Sequence, residues 1–152
     1  MAKKAVFIVI LITFLVLVYS NGNAKNVPMD EIEKALISST DIEKLEKGSN
    51  RDLMQFLGLD YESLDSYIYY RNTEALSVEE LFIVKVKDDS QLSAIKDSIE
   101  ARIETQTTTY EGYGPTQVAM LKEAVVITKG NYLYYCVSKS SDKYEEVLKD
   151  VI

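Results

Sequence analysis

The chain contains no histidine, no tryptophan and a single cysteine, Cys136. Imidazole and thiolate hold the usual zinc and copper sites, and imidazole is the base of Ser–His–Asp and Cys–His nucleophiles, so those constellations are excluded. Cys136 has no mate for an internal disulfide and no base to draw off its proton. It reads as a small packed apolar side chain. With six glycines and two prolines there is no phosphate loop, dinucleotide fingerprint or calcium loop, and no linker or low-complexity tract. No cofactor and no metal are expected. Only acid, lysine, serine or tyrosine chemistry is left for catalysis.

Charge is missing from one stretch. Residues 5–19, "AVFIVILITFLVLVY", carry none, and they follow "MAKK" and precede polar "SNGNA". A basic start, an apolar run and a polar exit form an export signal. As a helix the run covers about 22 Å, short of a hydrocarbon core of about 30 Å, which favours a signal peptide. Gly22 and Ala24 stand at the minus three and minus one positions of a cut before Lys25. Residues 1–24 are thus a cleaved signal peptide or a retained N-terminal anchor. In both cases residues 25–152 form a single extracytoplasmic domain, and the membrane is touched only through residues 5–19, if uncleaved.

Without Lys3 and Lys4 the exported part has 15 basic against 24 acidic residues, a net charge of −9. Such a surface repels phosphate backbones, so no nucleic acid partner is expected.

Apolar periodicity orders the exported part. Pro28, Asp30 and Glu31 open a helix with Met29, Ile32 and Leu36 on one face, prolonged or restarted by "SSTDIEKLEKGS". Asn50 is placed to cap "RDLMQFL", which Gly58 stops. "SYIYYRN" (66–72) and "ELFIVKVK" (80–87) read as strands, the second half buried with Phe82, Val84 and Val86 inward. A long helix follows with Leu92, Ile95, Ile99 and Ile103, then a short one with Val118 and Leu121. "AVVITKGNYLYYCVS" is a hairpin about Gly130, and "SDKYEEVLKDVI" a final amphipathic helix. The order ααββααββα predicts an α+β fold with a mainly antiparallel four-stranded sheet and helices packed on it.

One stretch exceeds what helices need. "YEGYGPTQ", residues 110–117, follows Arg102, Gln106 and Tyr110, which share a strip of the long helix. Gln106 falls near the middle of the apolar face and Arg102 on its flank, where polar groups need partners. The corner is either structural, with Arg102 and Gln106 bonding carbonyls or a carboxylate near residues 111–116, or a cleft in which Arg102 meets an anionic group and tyrosines supply flat faces. The acids Glu79, Glu80, Asp88 and Asp89 sit where caps and solvated faces put them. "YIYY" (67–70) and "YLYY" (132–135) place rings on both faces of their strands. Those rings are core under helices on both sides, or one face is an interface.

The landmarks Arg102, Gln106, Tyr113, Pro115, Gly130 and Tyr132, preceded by "LGLD" and "ELFIVKVKD", resemble a bacterial family described as domain of unknown function number forty-three fifty-eight, over roughly residues 50–140. The resemblance implies a small exported protein of clostridia-like Gram-positive bacteria, often held to the membrane as a lipoprotein, with no established activity and no defined catalytic residue. This leader has no cysteine near residues 20–25, so the implied lipid anchor does not carry over.

The expected function is a non-enzymatic binding module at the cell surface that takes a wall component, a peptide or a surface protein. The candidate ligand-binding residues are Arg102, Gln106, Tyr110, Tyr113, Pro115 and Tyr132, with no catalytic and no metal residues. The alternatives are an assembly subunit that mates through the tyrosine-rich sheet face and, third, an acid-based hydrolase.

Overall fold

The structure is a computed structural model that describes residues 8–15 and 24–152. Residues 8–15 are helical with their apolar side chains exposed. Residues 1–7 and 16–23 of the expected leader, Gly22 included, lie outside the described residues, and no helix among the described residues is long and apolar enough to cross a membrane.

The first helix, α1 (Met29–Ser39), buries Met29, Ile32 and Leu36. It does not continue through residue 48. Thr40 turns back to bond the Leu36 carbonyl through Oγ1 at 2.6 Å, and a 3-10 turn, Ile42–Lys44, leads into a two-residue strand, β1 (Glu46–Lys47). The next helix, α2 (Asn50–Asp52), runs on as a π-type turn, Leu53–Leu57. Its cap is Ser49 rather than Asn50: Ser49 Oγ accepts from the Asp52 N–H while Asp52 Oδ2 accepts from the Ser49 N–H at 2.8 Å. Gly58 ends it at φ 66°, a left-handed position open to glycine.

Strands β2 (Ser66–Arg71) and β3 (Glu80–Lys85) come next, then helices α3 (Gln91–Tyr110) and α4 (Pro115–Lys122). The hairpin β4 (Val125–Lys129) and β5 (Tyr132–Val137) and the helix α5 (Ser141–Val151) close the chain. The sheet is antiparallel throughout, in the order β1-β2-β3-β5-β4. The α+β class stands, with five strands instead of four. The added strand pairs Glu46 with Arg71 and Lys47 with Tyr70, and the Gly48 N–H extends the ladder to the Tyr69 carbonyl at 2.8 Å.

Alternation along the strands feeds two apolar layers, one on each face. Tyr69, Phe82, Val84, Leu133 and Tyr135 face α3 and α4. Ile68, Tyr70, Leu81, Ile83, Tyr134 and Cys136 face α1 and α5. β3 is therefore buried on both faces and not half buried, because it is the central strand of five and both faces carry helices. The same cover corrects the idea of a tyrosine-rich interface: Tyr69, Tyr70, Tyr132, Tyr134 and Tyr135 are all buried within this chain.

The segment before α1 is fastened to the hairpin. The Val27 N–H donates to the Tyr132 hydroxyl at 3.0 Å, and that hydroxyl donates to the Val27 carbonyl at 2.7 Å.

Candidate functional site

Helix α3 starts where the Gln91 Oε1 accepts from the Lys87 and Asp88 N–H groups at 3.0 and 3.1 Å. The Asp88 carboxylate accepts from the Ser90 N–H at 2.8 Å, and hydrogen bonding to Ser90, by its side chain first and its N–H second, holds its pKa below the usual carboxylate value. Ile95 and Ile99 fix the face that α3 turns to the sheet, and Arg102 rides on the flank of that face.

Arg102 does not reach residues 111–116. Its partner is Glu80, the first residue of β3: Nε lies 3.2 Å from Oε1 and Nη2 3.4 Å from Oε2. Glu80 is 1% exposed, which corrects its placement on a solvated face. It precedes Phe82 by two residues and so shares Phe82's inward face. Tyr69 and Tyr135 both stand opposite Phe82 in the register. Their hydroxyls lean along the strands to donate to Glu80 at 2.9 and 2.6 Å. Four donors from α3, β2 and β5 thus satisfy both oxygens. Burial, then the neighbouring Glu80 charge, pushes the pKa of Tyr69 and Tyr135 well above the ordinary phenol value. Burial works against the Arg102 charge, but Glu80 outweighs it and the net shift is upward. The Phe56 ring lies between two guanidinium groups, Arg102 at 5.1 Å and Arg71 at 4.4 Å.

The rest of the strip does other work. Gln106 places its Oε1 in the interior with no hydrogen-bond partner among the described residues. Tyr110 is buried, and its hydroxyl donates to the Ala75 carbonyl at 3.2 Å. The turn after it runs through Gly112 at φ 91°. At Gly114 a Cβ would stand 2.8 Å from the Tyr110 ring, so the ring and the turn backbone can pack only with glycine there. Pro115 occupies the first turn of α4, where its missing N–H costs nothing. Tyr113 is 62% exposed and tilts against Tyr110 with ring centroids 5.5 Å apart.

The corner therefore brings Tyr110, Tyr113 and Pro115 together and sends Arg102 to a buried cluster. It does not include Tyr132, a proposed member, whose ring is on the opposite face of the sheet against α1 and α5. The correction follows from alternation: Tyr132 is one residue out of phase with Leu133 and Tyr135.

Beside the corner lies a cleft of about 310 Å³ between loop 72–79 and α4, lined by Asn72, Leu76, Glu79, Gln117, Met120 and Lys139 among others. Gln117 Nε2 donates to the Leu76 carbonyl at 2.8 Å, so with Tyr110 two side chains of the corner grip the loop by its backbone. That grip leaves the Leu76 side chain 63% exposed. Sequence reasoning passed over this loop because "NTEALSVE" has no periodicity, and its structure depends on donors that come from far along the chain.

A three-layer α+β domain with a charged cluster locked inside it and a polar cleft at one corner is the class that the fold and site define. The chain belongs to the family described as domain of unknown function (DUF4358), whose family model matches residues 38–138. Comparison with curated proteins and with solved structures finds no match.

Proposed function

We propose that the chain is a non-enzymatic extracytoplasmic binding module whose ligand lies in the cleft between loop 72–79 and α4. The observation that carries this is the pair of exposed apolar side chains at the corner, Leu76 at 63% in the lining of the cleft and Tyr113 at 62% on the turn before α4, with the loop fastened by hydrogen bonds from Tyr110 and Gln117. Preorganised apolar anchors with polar groups around them are the common make-up of a recognition surface. The ligand class is a wall fragment, a peptide or a segment of a surface protein. The charged run at the start of the chain and the apolar residues after it support export. Arg102 enters this reading as a support of the corner, since its charge already faces Glu80 and a second anion gains little from it.

The test is thermal unfolding with a panel of wall-derived sugars and peptides, for the wild type, Leu76→Ser and Tyr113→Ala. A ligand at a hundred times its dissociation constant adds about 2.7 kcal/mol to a native state that alone binds it. The expected result is a rise in the wild-type melting temperature that both variants lose while melting normally without ligand. A panel member that stabilises all three chains alike places the site elsewhere.

A further inference from the structure

The two edges of the sheet differ. One is the two-residue β1; the other is β4, five residues long, "VVITK", with no proline and no bulge. The backbone bonds of β4 can be assigned from the register. The Val86 N–H donates to the Asn131 carbonyl at 2.9 Å, so Asn131, Leu133 and Tyr135 turn their peptide groups to the β3 side. Tyr132, Tyr134 and Cys136 turn theirs to β4 and meet Lys129, Ile127 and Val125. The N–H and C=O groups of Val126 and Thr128 then point away from the sheet, and no described residue bonds them.

A pocket lies at this edge. On the α5 face, Ile127, Tyr132 and Tyr134 form its floor and Leu148 and Ile152 its roof, about 60 Å³ of almost wholly apolar space, with Lys129, Glu145 and Lys149 at its rim. That is room for part of one aliphatic side chain. Beyond it, the outer side of α5 carries Asp142, Glu145, Glu146 and Asp150 around Lys149.

We propose that the outer edge of β4 and the pocket under α5 form a strand-addition site for an extended segment of a partner protein. The segment places an aliphatic side chain in the pocket and a basic side chain at the Val125 end, beside the α5 carboxylates. This site is distinct from the loop 72–79 cleft and does not depend on it. Main-chain bonding to Val126 and Thr128 supplies general affinity, and the pocket selects the side chain that faces it. Charge decides the occupant. A chain of net charge −7 repels a second copy, whereas a basic segment is drawn to the acidic flank.

The full chain in mild detergent, titrated with an end-capped peptide built on Ser-Thr-Leu-Thr-Lys, provides the test. Its leucine and lysine share one face of a strand, and antiparallel addition sets the lysine across from Val125, away from Lys129. Amide hydrogen exchange is expected to slow at Val126 and Thr128 and to stay unchanged at Ile127. Peptides with glutamate for lysine or serine for leucine are expected to bind at least about tenfold more weakly. Thr128→Pro removes one outward N–H without touching the β5 ladder, a place where edge strands accept proline, and it is expected to abolish binding.

Failure of the lysine peptide to slow these amides at millimolar concentration overturns the proposal. So does equal binding of the glutamate peptide, or binding by a folded Thr128→Pro chain equal to wild type. Protection of Val126 and Thr128 without peptide also overturns it, assigning the edge to the chain's own N-terminal part if the protein is monomeric and to a second copy if it is dimeric. The exchange readout on the wild type stands even if the variant does not fold.

Discussion

Arg102 and Glu80 meet as a fork inside the molecule, Nε to Oε1 at 3.2 Å and Nη2 to Oε2 at 3.4 Å, with the carboxylate 1% exposed. A buried ion pair adds little over a packed apolar pair, but losing one partner leaves a charge stranded in the core.

Arg102→Ala is expected to cost about 3–5 kcal/mol, read from urea or thermal unfolding. Tyr113→Ala, at an exposed position, is expected to stay within about 0.5 kcal/mol of wild type. Combining Arg102→Met with Glu80→Gln is expected to recover part of the loss. A stable Arg102→Ala single variant contradicts this account of the cluster.

Gly48 sits against the Tyr69 ring, where an added Cβ would lie 2.5 Å from Cδ1. The ring cannot step aside without breaking its bond to Glu80. Gly48→Ala is therefore expected to destabilise by about 1–3 kcal/mol through overpacking, whereas Gly48→Ala paired with Tyr69→Leu is expected to lose less than the sum of the two. Additive losses in such a cycle disconnect the two positions.

Alkali tests the same cluster from another direction. Tyr69 and Tyr135 have raised pKa values in the fold, through burial first and the Glu80 charge second. Their protonated forms are the ones the fold retains. Their contribution is complete below the ordinary phenol pKa of about 10 and declines as pH climbs towards the raised folded values. Stability is expected to fall above about pH 10, with tyrosinate absorbance from these rings rising only as circular dichroism is lost. Full ionisation of all eleven tyrosines in an intact fold contradicts it.

Cys136 is buried on the α5 face, and burial pushes its thiol up to about 12. A thiol reagent at neutral pH is expected to label it only when the sheet opens, with a rate that rises with urea in step with unfolding. Rapid labelling of the native chain places the thiol at the surface and contradicts the packing.

Much of this architecture is legible in the residues. Alternation in "ELFIVKVK" and "YLYYCVS", the Gly58 stop and the Gly130 turn carry enough local signal to place strands and ends. β1 is not legible, because Glu46 and Lys47 have no strand character of their own and pair only where Arg71 and Tyr70 present a ladder. Glu80 carried a signal that went unused: it lies in phase with Phe82 and Val84, and a carboxylate in that phase must be paired. Its donors, Tyr69, Arg102 and Tyr135, stand 11, 22 and 55 residues away, and no local pattern reports such separations. The corner was found from its glycines and proline, while the loop it grips was not.

The Tyr132 clasp on Val27 sets a polarity for the molecule. Tyr132 pairs with Lys85 at one end of the central strands, while Glu80, Arg71 and Val137 mark the other end, about 20 Å away along strands of this length. The N-terminal segment is tied to the first end, and loop 72–79 hangs from the second. Ala24 lies against Gly130 at that same first end, so the described N-terminal segment meets the domain at the end of the sheet opposite the cleft.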